Sequence, residues 1–503
     1  MAEQTYVDAD PDYSATTVSR ELQNNKDVRL VSKSIMSIDE YSFLSMTYYG
    51  DKYYRSGVLI RPHEREDNLS YTARREMAFL KNFLKPVVNS RIDPVFSAKI
   101  VRETKDESGE QIEPILFKPF LSDCDNCGND LGAFVEQAAR EGNLQSLTFI
   151  VVDNYRAEQI STSAEENAKN RILPYVYRQN RNTMHDYSVD GYGKIEWIRF
   201  FDHCEKDPNG KDKFYYRYWD SVESKMQLME KKGSKIKWTD TEVITHNLGV
   251  VPVYPMAFIS PRTKDTLDID YEFYDLARCN WTIYNLDSAT MEAIFDQCFS
   301  LLCIQGTKED DVSVGTKSIC WVEPGVSNMP QFASPSPEVA KLASEYADKI
   351  KAEIYEIAEQ NGVTAKRTAG ASEQSGKAKE WDFQAHGFIL KKIAGICYKT
   401  EIWIADIFKR YTGEVFEYVP RYKYDYSIVN SDGLIAVQEA ILTNDFGPKG
   451  VSLAKKNIAR IAFIHNEEAE VTAVLKEIDS MTEDETISEN EINDTDESVE
   501  ANT

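Results

Sequence analysis

Gly370-Ala-Ser-Glu-Gln-Ser-Gly376-Lys377 carries the glycines and the lysine with which a phosphate-cradling loop holds a nucleotide. That chemistry needs four residues between the glycines, a Ser or Thr hydroxyl after the lysine for Mg²⁺, and a strand just before. Here five residues intervene, Ala378 follows the lysine, and helical sequence precedes. A flexible loop with a new helix starting near Ser372 or Ser375 accounts better for the stretch. Cys124-Asp-Asn-Cys127 has zinc-knuckle spacing, but no second Cys-x-x-Cys accompanies it, and His203 and Cys204 lie far away in sequence. Two thiols in a turn before a helix at Leu131 suffice. Asp268/Asp270 and Asp310/Asp311 have the donor type of a Mg²⁺-dependent nuclease. In a chain with 83 acids such pairs arise by chance. His246, in Thr245-His-Asn-Leu-Gly249, precedes an apolar run where a turn or cap is role enough. No nucleophile elbow, kinase set or dinucleotide fingerprint is present. The sequence therefore predicts a non-enzyme, with no catalytic residue, metal or cofactor.

The elements around the loop are more telling than the loop. Ser336-Pro337 reads as a helix start, a side-chain oxygen followed by a residue that lacks an amide hydrogen. Val339, Leu342, Tyr346, Ile350, Ile354 and Ile357 follow at steps of three and four, on one face. Lys341, Glu345, Lys349 and Glu353 run along another at i,i+4 spacing. Asn361-Gly362 supplies the stop, giving a rod of roughly 36 Å. After the polar stretch from Val363 to Gly376, apolar helical sequence runs on to Phe408. Two rods joined by a polar loop suggest a mechanical part.

At 503 residues the chain exceeds one compact core, and 42% hydrophobic content with 50 Tyr and Phe is ample for burial. No signal peptide is evident, and the longest apolar run, Gly249–Ile259, is too short for a bilayer. Eight scattered cysteines fit reduced thiols. The net charge is −25. Residues 477–503 hold eleven acids and no base and read as disordered, and the remainder is acidic too. Such a body argues against tight duplex binding, which needs clustered Lys and Arg. It does suit a wall past which DNA slides.

Along the chain, residues 1–25 read as a flexible arm. Residues 26–100 are helical and aromatic, with Ala73, Met77, Leu80 and Leu84 on one face of a helix over 72–84 that Pro86 ends. A charged turn spans 102–113, a helix 131–141, and an apolar strand 147–152. Residues 192–201 and 213–220 read as strands of a hairpin turning at Asp207-Pro-Asn-Gly210. Residues 270–305 read as a long helix in which Ala277, Tyr284, Met291 and Cys298 recur every seven residues. The other half of that seam is Asn280, Asp287 and Ile294. Asn and Asp at seam positions suit a partly wet contact between copies of the chain; a surface helix with a narrow apolar stripe is the competing reading. Short strands are expected near 300–304, 311–321 and 329–332, and a helical pair over 432–444 and 450–465.

In this order the parts resemble the portal proteins of tailed bacteriophages. Tyr48-Tyr-Gly-Asp51, Pro62-His-Glu64, Tyr71-Thr-Ala-Arg74 and Asn89-Ser-Arg-Ile-Asp-Pro-Val-Phe96 look like opening wing helices. His246-Asn-Leu-Gly-Val-Val-Pro-Val-Tyr-Pro255 is similar to the turn and strand before a first stem helix. The resemblance implies an α+β subunit: a wing (26–260) of helices and antiparallel strands, a first stem helix (261–299) and a small β-rich clip (300–335). A second stem helix (336–361), a tunnel loop (362–375), a long wing helix and strand (376–430), crown helices (431–476) and the acidic tail (477–503) follow.

It also implies a homo-oligomeric ring, with about twelve subunits, at one capsid vertex. Double-stranded DNA would pass through its channel during packaging and ejection, with the terminase motor, the major capsid protein and head-tail adaptor proteins as partners. The place implied is the virion, with host cytoplasm during assembly and no membrane. Lys366, Arg367, Lys377 and Lys379 flank the loop and are expected to make weak phosphate contacts, or to be solvated charges on a hinge. Asn280, Tyr284, Asp287 and Met291 are expected at a subunit interface. The alternatives are another virion structural or adaptor protein, or a metal-dependent nuclease or ATPase.

Overall fold

The computed structural model describes residues 38–154, 173–298, 301–305, 319–322, 331–333, 337–358, 376–426, 447–462 and 474–478, with 51, 65, 209, 211, 233, 234, 424 and 425 excepted, and the single positions 163, 166 and 441. The fold is α+β. Residues 1–426 and 427–503 form two separate units.

The amino-terminal helices of the first unit are set by local chemistry. In α1 (Glu40–Tyr49) the Asp39 carboxylate accepts the Ser42 amide hydrogen at 2.8 Å, and Gly50 ends the helix at φ 61°. After α2 (Lys52–Arg55), α3 (Asn68–Met77) is capped by Asp67, which accepts from the amides of Leu69 and Ser70. The chain then turns extended at Ala78 and re-enters helix as α4 (Leu84–Phe96). The expected helix over 72–84 is therefore two elements. Pro86 opens α4 instead of closing its predecessor, because the first turn has no intrahelical acceptor for the missing amide hydrogen.

The charged stretch after Ile100 is not a simple turn, since it contains β1 (Val101–Lys105). Short α5 (Phe117–Ser122) precedes α6 (Leu131–Gln145), whose N-cap Asp130 accepts from the Ala133 amide. Ser146 turns the chain at φ 64° into β2 (Leu147–Asp153), buried along nearly its whole length. The segment pairs antiparallel with β3 (Tyr175–Asn180) on one side and, on the other, with β9 (Val253–Ala257). Gly142 lets α6 approach this layer: a Cβ there would sit 2.5 Å from the Phe258 ring.

Between β3 and β9 runs a five-stranded antiparallel meander in chain order: β4 (Met184–Val189), β5 (Ile195–Lys206), β6 (Asp212–Trp219), β7 (Glu223–Lys232) and β8 (Lys235–Thr245). Its β5–β6 turn is the expected one, with the Gly210 amide donating to the Asp207 carbonyl. One sheet face packs on the β2 layer through Ile198, Phe200 and Trp219.

A helical hairpin follows: α7 (Tyr274–Cys298), a three-stranded sheet, and α8 (Pro337–Ile357). In that sheet β10 (Leu301–Gln305) lies between β11 (Ile319–Val322), parallel to it, and β12 (Gln331–Ala333), antiparallel. The 37-residue α9 (Gly376–Thr412) crosses the body, and β13 (Glu417–Arg421) pairs with β1 in the register Val101↔Arg421. The main core gathers α4, α5, α6, β2, β9 and α9 around Phe117, Phe120, Phe149-flanking Ile150, and Phe408. Among the described residues no helix is long and apolar enough to cross a membrane.

The second unit contains α10 (Gly447–Ala462). The helix expected over 432–444 lies outside the described residues except for position 441, as do the arm 1–25 and the tail beyond 478.

Candidate subunit interface

The base of α7 is bolted to the amino-terminal helices. The Trp281 indole donates to the Leu59 carbonyl at 2.8 Å, and the Tyr284 hydroxyl to the Tyr54 carbonyl at 2.8 Å. Asn285 accepts from the Arg61 amide at 2.8 Å. Arg74 reaches Ser288 at 3.3 Å while Glu66 grips its guanidinium with both oxygens at 2.7 Å. These side chains recur at three- and four-residue steps along one helix flank, so one strip meets α2, the segment 59–61 and α3.

Asn280 and Tyr284, expected between subunits, belong to this internal packing; each is 1% exposed. Asn280 Oδ1 accepts from the amides of Phe83 and Leu84, and its Nδ2 donates to the Lys81 carbonyl. It caps α4, whose own N-cap position, Phe83, has no side-chain oxygen. Burial pushes the Tyr284 phenol up to about 12. Asp287 pairs with Lys81 at 2.9 Å within the chain. A polar residue on an apolar seam has two physical solutions, water or a buried partner, and here Asn280 takes the second.

Met291 is different. It lies seven residues beyond Tyr284, on the face that is buried farther up the helix, yet is 42% exposed; Ile294 and Phe295 beside it are exposed too. The same happens on α8. Ile350 and Ile354 pack with Leu276, Ala277 and Ile283 of α7, whereas Leu342 is 67% exposed and Tyr346 and Ile357 are half exposed. Of the predicted stripe on α8, Ile350 and Ile354 find partners inside the chain, while Leu342 and Tyr346 toward the small sheet and Ile357 at the opposite end stay exposed. Leu342 and Tyr346, like Met291, belong to the end of the hairpin that carries the small sheet. Full burial of such a side chain is worth about 1.5–3 kcal/mol.

The other proposed sites divide plainly. Lys366 and Arg367 lie outside the described residues, and Lys377 and Lys379 fall in the first turn of α9. Cys124 is buried, which raises its thiol, and Cys127 is exposed; both are free thiols. Their turn is held by the Asp125 carboxylate, which accepts from the Cys127 amide at 2.9 Å. Asp268 and Asp270 both face Arg262, at 2.7 and 3.4 Å. Asp310 and Asp311 lie outside the described residues. Among the described residues no group of three His, Cys, Asp or Glu side chains could hold a metal ion. His246 Nδ1 accepts from the Leu248 amide in the turn before β9.

The chain is thus an α+β fold with a sheet-tipped helical hairpin whose far end exposes Met291, Ile294, Leu342 and Tyr346. No family model and no curated protein matches it. A solved structure described as the neck of a native GTA particle, computed with C12 symmetry, is similar at 12% identity and a TM-score of 0.38, covering 74% of this chain and 90% of that one.

Proposed function

We propose that this chain is a portal subunit of a tailed-bacteriophage particle, a non-enzymatic virion component at the vertex where double-stranded DNA is packaged and ejected. One observation carries the reading. The far end of the α7–α8 hairpin exposes Met291, Ile294, Leu342 and Tyr346 on faces that are buried near the body, as expected of helices completed by neighbouring copies. A head-to-tail contact that closes on itself makes a ring, here of about twelve subunits, and the paired helices then wall its channel.

In this reading α7 and α8 are the stem, β10–β12 the clip that receives head-tail adaptor proteins, and α9 the long wing helix. Residues 362–375 form the tunnel loop, with Lys366, Arg367, Lys377 and Lys379 making brief phosphate contacts as DNA moves. The carboxy-terminal unit is the crown inside the shell, and the terminase motor and major capsid protein are the remaining partners. Native mass measurement with negative-stain imaging of the full chain tests this: rings with an open centre are expected. A monomer at high concentration and in assembled particles overturns it.

A further inference from the structure

Between α3 and α4 the chain reads Phe79-Leu-Lys81-Asn-Phe83-Leu-Lys85, the same aromatic-leucine-lysine triplet twice in succession. The structure sorts the repeat by face. Leu84 is buried, Leu80 packs beside Tyr54 and Leu59, and Asn82 donates to the carbonyls of Thr47 and Tyr48 at 2.9 and 2.8 Å. Phe79, 53% exposed, and both lysines are left outside.

The ammonium groups are seated on rings. Lys81 lies 5.7 Å from the Phe79 centroid, Lys85 5.9 Å from Tyr48, and Lys351 of α8 5.6 Å from Phe83. Such a seat holds an ammonium group by attraction to the ring face while the residue stays exposed. Lys81 also meets Asp287 at 2.9 Å.

The ridge has a meaningful address. His386 contacts the Ser90 carbonyl and Glu401 contacts Arg102, so α9 follows α4 in the same direction. The first turn of α9, with Lys377 and Lys379, therefore begins on the side where α4 begins. Tyr355, near the end of α8, packs edge-on against Phe83. The start of α4 and the carboxy-terminal part of α8 meet at this corner, with Lys81, Lys85 and Lys351, in a chain whose net charge is −25.

We propose that Lys81, Lys85 and Lys351 form a ridge that touches the phosphate backbone of duplex DNA without reading its bases. The assignment rests on the portal reading for its biological setting. The chemistry favours a passing polyanion: lysine ammonium groups are point charges without the two-pronged geometry that would fix a register. The rings of Phe79, Tyr48 and Phe83 keep the charges in place between contacts.

The test uses the full chain carrying Lys81→Ser, Lys85→Ser and Lys351→Ser together. Binding of a random-sequence duplex is measured from about 50 to about 200 mM salt. The plot of log affinity against log salt should become shallower by about 0.9 for each phosphate contact removed, and the matching Lys→Arg triple variant should restore it. An unchanged slope overturns the ridge, as does preferential loss of binding to polyglutamate, which would assign it to an acidic polypeptide. Native mass is read on the same samples. Absence of rings in the unmodified chain counts against the portal reading, whereas rings with an unchanged slope count against the ridge alone.

Discussion

The side-chain oxygen of Asn280 accepts the Phe83 amide hydrogen at 2.7 Å across 197 residues of sequence. Helix α7 thereby supplies the cap that α4 does not encode in its own sequence. Replacing Asn280 with Ala leaves two amide hydrogens and the Lys81 carbonyl without partners in a buried place. Chemical denaturation should show a loss of about 1–3 kcal/mol. A loss within error of zero would mean that the cap is dispensable.

A second prediction concerns assembly. Met291→Glu with Leu342→Glu puts charge on the exposed end of the hairpin, where neither side chain is needed for the fold of the subunit. Circular dichroism and melting should be unchanged while native mass falls to that of a monomer. Tyr284→Glu, by contrast, should unfold the chain locally, because its ring is buried edge-on against Tyr54.

The third concerns Glu401, fully buried on α9. It takes two hydrogen bonds from Arg102, at 2.7 and 3.0 Å, and one each from Tyr418 and Tyr422, at 2.6 and 2.5 Å. Removing the arginine alone strands a buried carboxylate, so Arg102→Met should cost about 3–5 kcal/mol. Adding Glu401→Leu should recover part of that cost, since the unpaired charge goes too. A double variant as unstable as the sum of the singles would show that the two residues do not act as a pair.

The fourth is a pH dependence. The His185 ring sits edge-on to Tyr216 and Trp238, its buried Nδ1 without a hydrogen-bond partner among the described residues, near an Arg199 guanidinium stacked 4.0 Å over Trp238. Burial first and Arg199 second lower its pKa from the usual 6.5, with Asp186 opposing. The folded state thus holds His185 neutral where the unfolded chain protonates. Its contribution is complete above the unfolded value and disappears as pH falls through the lowered folded one. The melting temperature should drop between about pH 7 and about pH 5, and His185→Phe should flatten that drop.

Much of the fold is legible because it rests on local rules. The turn at Asp207–Gly210, the apolar strand at Leu147 and the alternating charges of α8 are each decided within a few residues. The Leu131 helix, too, runs on to Gln145 because its own periodicity carries it there. The apolar stripe of α8 was equally plain, but where it would be covered was not. That depends on how far the body of the subunit reaches along the hairpin, a tertiary quantity. The role of Asn280 is hidden for the same reason, since only the fold brings the 81–84 backbone over it. Pro86 shows a smaller limit: the residue is compatible with a helix end or a helix start, and the extended stretch after Ala78 decides between them.

The bolts at Trp281, Tyr284, Asn285 and Arg74 give the hairpin the mechanics of a lever clamped at one end. Sideways load on the root of the hairpin is carried by these contacts to the segment 54–61 and to Arg74 of α3. A shift of α7 at Trp281 to Ser288 therefore cannot occur without moving the amino-terminal segment or breaking these hydrogen bonds.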